Sequence, residues 1–225
     1  MWARRATRAV FAGIPVLAAG KLVFFPYRLH LVFDLDATLI DTTRERNAVS
    51  ADVHLDFDNR SSHYSVYFRP YAKFILGSLK HTNGMYMFTA ATRDYTDRIL
   101  DKLAPGAFEE ILYREATTTF PRRLHHRVPR STKYSKDLRR LKAIGDSDEE
   151  LSRAVLIDDK ATNQVADQHI IVVHPYDIAS GGAWRDVELL KVAATILLCN
   201  IGGAEVTRYL LRSPPGTHTA RATDH

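Results

Sequence analysis

The chain has 225 residues, 45% of them hydrophobic and 25% charged, with a formal net charge of +5. That supplies one sizeable core and excludes a fibrous or wholly disordered chain, while the mild basic excess suits an anionic partner without naming one. A single cysteine, Cys199, excludes an internal disulfide and a cysteine metal cluster, and its apolar neighbours mark it as packing.

From Met1 to Phe33 there is no Asp or Glu, whereas Arg4, Arg5, Arg8, Lys21 and Arg28 are basic. On a helix Trp2, Ala6, Ala9, Val10 and Gly13 share one face and Arg4, Arg5 and Arg8 another, the pattern of a mitochondrial targeting segment. The charge-free run Ala9 to Gly20 is short for a membrane span of roughly 20 residues. A secretory signal and a membrane anchor therefore stay open as readings. The organisation expected is a targeting or membrane-proximal segment over 1–28, one domain over 29–212, and a disordered tail rich in Pro, Gly, Thr and Ala over 213–225.

Leu29 to Phe33 reads as a short buried strand ending at an acidic loop, Asp34 to Asp41. Asp52 to Asp58 and Tyr64 to Phe68 alternate apolar and polar around the turn-forming Asn59-Arg60-Ser61-Ser62, so a β-hairpin is expected there. Arg69-Pro70 ends it. Tyr71 to Lys80 is expected to be a helix with Phe74, Ile75, Leu76 and Leu79 inward, closed by Asn83-Gly84. Met85 to Phe88 is a strand, Asp94 to Leu103 a helix, and Glu110 to Tyr113 a strand. Residues 117–133 form a loop dense in Arg and His. Lys136 to Leu141 reads as helical and 145–150 as an acidic link. Ala154 to Ile157 and Ile170 to Val173 are strands, and Asp186 to Leu198 is an apolar final helix.

Strands alternating with helices imply a mainly parallel α/β sheet. In such sheets ligands sit at the carboxyl ends of the strands. Three apolar strands run into polar loops, at Asp34 and Asp36, at Thr89, and at Asp158-Asp159. These clusters are far apart in sequence and are expected to converge.

The segment Phe33-Asp34-Leu35-Asp36-Ala37-Thr38-Leu39 carries the chemistry. Two carboxylates two residues apart on a tight loop can take separate roles at one phosphorus. Asp34 can attack it to form an acyl-phosphate, and Asp36 can protonate the leaving oxygen and then deprotonate the attacking water. Backbone N–H groups of the loop are candidates to cradle phosphate oxygens.

The segment resembles the Asp-x-Asp-x-Thr signature of haloacid-dehalogenase-type phosphatases. The chain is most similar to the branch that holds the RNA polymerase II C-terminal-domain phosphatases, the lipin phosphatases and the mitochondrial import subunit Tim50. Tyr67-Phe68-Arg69-Pro70, Phe88-Thr89-Ala90, Tyr95-Thr96-Asp97, Tyr113-Arg114-Glu115, Tyr134 to Leu138, Leu156 to Asp159 and Pro175-Tyr176 follow the branch's motifs in order. The resemblance covers roughly residues 29 to 200. It implies a Rossmann-like α/β sheet with helices on its faces and a small β-hairpin insertion after the first strand.

The resemblance also implies roles. Asp34 is the nucleophile and a magnesium ligand. Asp36 is the general acid/base and a ligand through its carbonyl. Thr38 orients the loop, Thr89 binds a phosphate oxygen beside Ala90, and Lys136 neutralises nucleophile and phosphate. Asp159 is the remaining direct Mg2+ ligand and Asp158 supports it near Lys136. Arg69 is a further candidate substrate contact. The implied function is a magnesium-dependent phosphatase acting on phosphoserine or phosphothreonine in a phosphorylated protein. A Tim50-like, presequence-binding component of the mitochondrial import machinery is the alternative. Direct nucleic-acid binding is not expected. Two positions depart from the branch's pattern. Tyr71 stands where glycine is frequent, and Lys160-Ala161 where a small residue and proline are frequent. The basic run Arg122-Arg123-Leu124-His125-His126-Arg127, with Arg130 and Lys133, suits steering of an anionic substrate.

Overall fold

The computed structural model describes residues 27–44, 50–57, 62–119, 134–165, 167–180 and 183–211. The N-terminal segment, the C-terminal tail and the basic run at 122–133 lie outside the described residues, and so do the readings that fall on them.

The core is a five-stranded sheet in the order β10-β9-β1-β5-β6, with every described pairing parallel. Its strands are β1 (His30–Phe33), β5 (Gly84–Phe88), β6 (Glu110–Leu112), β9 (Ala154–Asp158) and β10 (His169–Val172). The inner strands are continuous apolar runs because both faces are covered. One face carries Leu31, Phe33, Met85, Met87, Val155 and Ile157, and the opposite face carries Val32, Tyr86, Phe88 and Leu156. This is the two-residue alternation of a strand. Phe33 is in register with Met87 and Ile157, so the three polar loops leave the same edge of the sheet side by side.

The expected hairpin is present as β3 (Val53–Phe57) and β4 (Ser62–Phe68), antiparallel. A third strand, β2 (Ile40–Thr43), pairs with the other edge of β4, making a small antiparallel sheet in the order β2-β4-β3. It follows directly from the loop that carries Asp34 and Asp36. The remaining described pair is β7 (Thr118–Thr119) with β8 (Tyr134–Ser135).

Helix α1 (Ala72–Leu79) buries Ala72, Ile75, Leu76 and Leu79. Phe74, expected inward, is 69% exposed. Successive helical residues are 100° apart, and Ile75 and Leu76 already take the inner face. Tyr71 precedes the helix with φ 66, the left-handed region that favours glycine, which accounts for the frequency of glycine at that position. Helix α2 (Arg93–Leu103) buries Thr96, Ile99, Leu100 and Leu103.

Three expectations are corrected. Lys136 to Leu141 is not a helix: Lys136 directly follows β8 and forms an isolated bridge to Gln164, and a 3-10 turn covers Leu138–Arg140. Lys136 donates its N–H to the Asn163 carbonyl at 2.8 Å, and Asp137 accepts from Arg139 N–H at 3.1 Å. These bonds end any helix before Leu138. The acidic link contains α3 (Asp148–Ser152), capped by Ser147, which accepts from Glu150 N–H. Three acids in its first turn suit a helix start. The last helix, α4, runs from Glu188 to Leu210, well past Leu198, with a break at Gly203 (φ 68, ψ −159). Its inner side packs Leu189, Val192, Ile196 and Cys199 into the core, while Leu190, Leu197, Leu198 and Ile201 face outward. The stretch Ala183–Leu210 is long and apolar enough to cross a membrane by length and composition.

Two buried polar groups tie the layers together. Asn200 on α4 donates to the Tyr27 carbonyl at 2.5 Å and to Asn83 Oδ1 at 2.8 Å, and Asn83 Oδ1 also accepts from Leu29 N–H. Arg69, 1% exposed, donates to the Thr38 carbonyl at 3.0 Å, the His174 carbonyl at 2.6 Å and the Asp186 carboxylate at 2.8 Å.

Candidate functional site

The loop carrying Asp34 and Asp36 is a tight, internally bonded turn. Asp34 N–H donates to the Ile157 carbonyl at 2.9 Å, which fixes the loop to β9. Ala37 N–H donates to Ile40 and Leu39 N–H to Leu35, at 2.8 and 2.9 Å. These two N–H groups are therefore spent inside the loop and are not free to cradle a phosphate. Ala37 has φ 60, so the turn is held in a conformation that L side chains avoid. Tyr176 N–H bonds the Ala37 carbonyl at 2.7 Å and pins the turn from the far side.

Lys136 sits at the centre of the acids. Its ammonium is 2.5 Å from Asp34 Oδ1 and 2.6 Å from Asp158 Oδ2, and the side chain is 1% exposed. Burial opposes its charge, but the two carboxylates outweigh that and raise its pKa. It therefore stays a cation. Burial pushes the Asp34 carboxyl above the ordinary range, Lys136 pulls it back, and neighbouring Asp158 pushes it up again. Burial likewise raises Asp36, against the hydroxyl that Tyr95 donates to it at 2.9 Å.

Thr38 is fully buried, accepts from Asp159 N–H at 3.1 Å, and lies 3.5 Å from Asp34 Oδ2. It thus joins the loops after β1 and β9. Thr89 is fully buried, and its hydroxyl oxygen accepts from Ala91 N–H at 3.0 Å. That leaves the hydroxyl proton to donate to a ligand. Ala90 holds Arg114 through its carbonyl at 2.7 Å.

Asp34, Asp158 and Asp159 each bring a carboxylate oxygen within 4.8 Å of the others. Hard cations such as magnesium take oxygen ligands of this kind. The charge count also fits. Four carboxylates, Asp34, Asp36, Asp158 and Asp159, meet two ammonium groups, Lys136 and Lys160, and the largest influence on Asp34 is lost hydration. Both oxygens of Asp158 are already engaged, by Lys136, by the Asn163 amide at 2.9 and 3.0 Å, and by Lys160 N–H at 2.8 Å. Asp158 is thus spent on buried partners, whereas Asp159 meets only the half-exposed Lys160 ammonium among the ion pairs of the described residues.

The structure brings Asp34, Thr38, Lys136, Asp158 and Asp159 into direct contact and sets Asp36 and Thr89 on neighbouring loops of the same sheet edge. It does not bring Arg69 to them as a substrate contact. The Arg69 fork is buried and occupied by Thr38, His174 and Asp186, so it braces the loop from behind. Sequence reasoning assigned no role to Tyr95 or Asn163. Tyr95 was visible only as part of a helix motif, and Asn163 carried no signal.

A cleft of about 420 Å³ opens from Asp36, lined by Phe57, Tyr64, Tyr95, Arg114 and the backbone around Ala90 to Thr92. It runs between the small antiparallel sheet and α2. Tyr64 meets both Phe57 and Tyr95 edge to face, with ring centroids 5.9 Å apart.

A parallel sheet whose central strand delivers Asp34 and Asp36, with a lysine and paired acids from adjacent loops, defines an α/β fold of the haloacid-dehalogenase type. The family model described as NLI interacting factor-like phosphatase matches residues 29–203, and the chain belongs to that family. Among solved structures, Fcp1, described as an essential RNA polymerase II CTD phosphatase, aligns at 20% identity over 92% of this chain and 54% of that chain, with a TM-score of 0.49. The fission yeast RNA polymerase II CTD phosphatase Fcp1 bound to beryllium fluoride aligns at 19% identity over 92% of this chain and 56% of that chain, with a TM-score of 0.50. The chain thus spans little more than half the length of these structures, and the likeness is one of fold. Among curated proteins none matches the chain.

Proposed function

We propose that the protein hydrolyses phosphate monoesters through an aspartyl-phosphate, with phosphoserine or phosphothreonine in protein as the substrate class. The observation that carries this reading is the Lys136 ammonium held at 2.5 and 2.6 Å between Asp34 and Asp158, beside an acid raised by burial, Asp36. Asp34 attacks phosphorus, and the bond to the leaving oxygen breaks as Asp36 gives that oxygen its proton. Asp36 then takes a proton from water, whose oxygen attacks the acyl-phosphate and releases Asp34. Lys136 neutralises the nucleophile throughout, and the Thr89 hydroxyl donates to a phosphate oxygen. Asp34 and Asp159, with the Asp36 carbonyl, would hold Mg2+, which supplies Lewis-acid charge neutralisation at phosphorus.

Support for a protein substrate comes from the family and from the cleft. An open trough with aromatic walls suits a polypeptide on either side of a phosphorylated residue.

The test is hydrolysis of an aryl phosphate by the full chain with and without magnesium, beside Asp34→Asn. A panel of phosphopeptides, sugar phosphates and phosphatidic acid follows. Turnover that requires magnesium and is lost in Asp34→Asn is expected. A folded protein that shows no turnover, or an Asp34→Asn variant as active as wild type, would sink the mechanism.

A further inference from the structure

Among the described residues, Lys160 is the one lysine of the acidic cluster whose side chain is half open to solvent. Its ammonium lies 3.0 Å from Asp159 Oδ2 and 3.2 Å from Oδ1, so it covers both oxygens of that carboxylate. The Asp159 side chain is 4% exposed and that of Lys160 48%, which places the ammonium between the carboxylate and water. The backbone is fixed beneath it, because Lys160 N–H donates to Asp158 Oδ1 at 2.8 Å. Lys136 differs in kind. It is buried and held by two acids.

We propose that Lys160 is a displaceable counter-ion that competes with the divalent cation for Asp159 and so sets the affinity of the cation site. The proposal rests on reading the acidic cluster as that site. Asp159 has one carboxylate to offer, and here it is already neutralised. A divalent cation must displace the ammonium or bind beside it. Lysine suits the role because its charge rides on a flexible four-carbon stem and is readily rehydrated. Lys160 thus covers the buried acid when the cation is absent and moves aside for it. Repulsion between a single and a double charge a few ångströms apart in water weakens cation binding by roughly tenfold. The cost is electrostatic and partly exposed, so added salt reduces it.

The experiment is a calorimetric titration of MgCl2 into the full chain, with Mn2+ binding followed by electron paramagnetic resonance as a second readout. Wild type, Lys160→Met and Lys160→Arg are compared at low and high NaCl, with thermal melts to confirm folding. Lys160→Met is expected to bind the cation about tenfold more tightly, Lys160→Arg to stay near wild type, and the gap to narrow in salt. Equal affinity in wild type and Lys160→Met overturns the proposal, as does the absence of cation binding in both. These readouts need no hydrolysis, so a protein that binds cation as expected but does not turn over would refute the phosphatase reading alone.

Discussion

Arg69→Met removes the brace behind the loop that carries Asp34 and Asp36. The Arg69 side chain is wholly buried and Asp186 is 14% exposed, with 2.8 Å between them. Methionine fills part of the volume but leaves the Asp186 charge and the carbonyls of Thr38 and His174 without their donor. Breaking one side of a buried ion pair costs about 3–5 kcal/mol, a large share of the 5–15 kcal/mol typical of a domain. Urea unfolding followed by far-UV circular dichroism should therefore show the midpoint fall by about a fifth or more at an unchanged slope. Asp186→Leu in the same chain should recover part of the loss, because both charges are then gone, and the double-mutant cycle isolates the pair. Turnover should fall as well, since the Thr38 carbonyl is held by this fork. A loss below about 1 kcal/mol would refute the reasoning, because it would mean that the pair behaves as a solvent-screened surface contact.

Tyr71→Gly should stabilise the protein by about 1 kcal/mol in the same assay, because the left-handed backbone at φ 66 strains a side chain that is 49% exposed and buries little. Asn200→Ala should cost about 1–3 kcal/mol, since it strips the Tyr27 carbonyl and Asn83 of a buried donor. Burial holds the His169 imidazole below its ordinary 6.5. Between that lowered value and 6.5 the unfolded chain binds the proton more readily, so stability should fall as pH drops through this window. His169→Gln should flatten that part of the pH–stability curve, and an unchanged slope would contradict the assignment.

The central strands were legible because their physics is local. Val32-Phe33, Met85 to Phe88 and Ala154 to Ile157 are unbroken apolar runs, and each stops at a polar loop. A parallel sheet then brings Asp34, Thr89 and Asp158 to one edge whatever the intervening chain. The contacts that tune those groups were not legible. Tyr95 reaches Asp36 from α2, and Asn163 reaches Asp158 from a 3-10 turn. Such pairings depend on rotamers and on the angle between elements, which one sequence does not encode separately. The strand β2 escaped notice because Asp41-Thr42-Thr43 has no apolar alternation, and its pairing to β4 is set by where the loop ends. Phe74 misled for the opposite reason, as hydrophobicity alone does not say which side of a helix a residue takes.

The placement of β1 between β5 and β9 has a consequence for how the protein is made. Strand β1 precedes its partner β9, which carries Asp158 and introduces Asp159, by most of the length of the domain. A nascent or truncated chain that stops before Ala154 carries Asp34 and Lys136 but lacks Asp158, the second acid that holds the Lys136 ammonium. One edge of β1 is also bare, an open template for pairing with another chain. The full cluster of acids around Lys136 thus forms only when β9 docks, and a chain that stops earlier exposes a strand edge open to self-association.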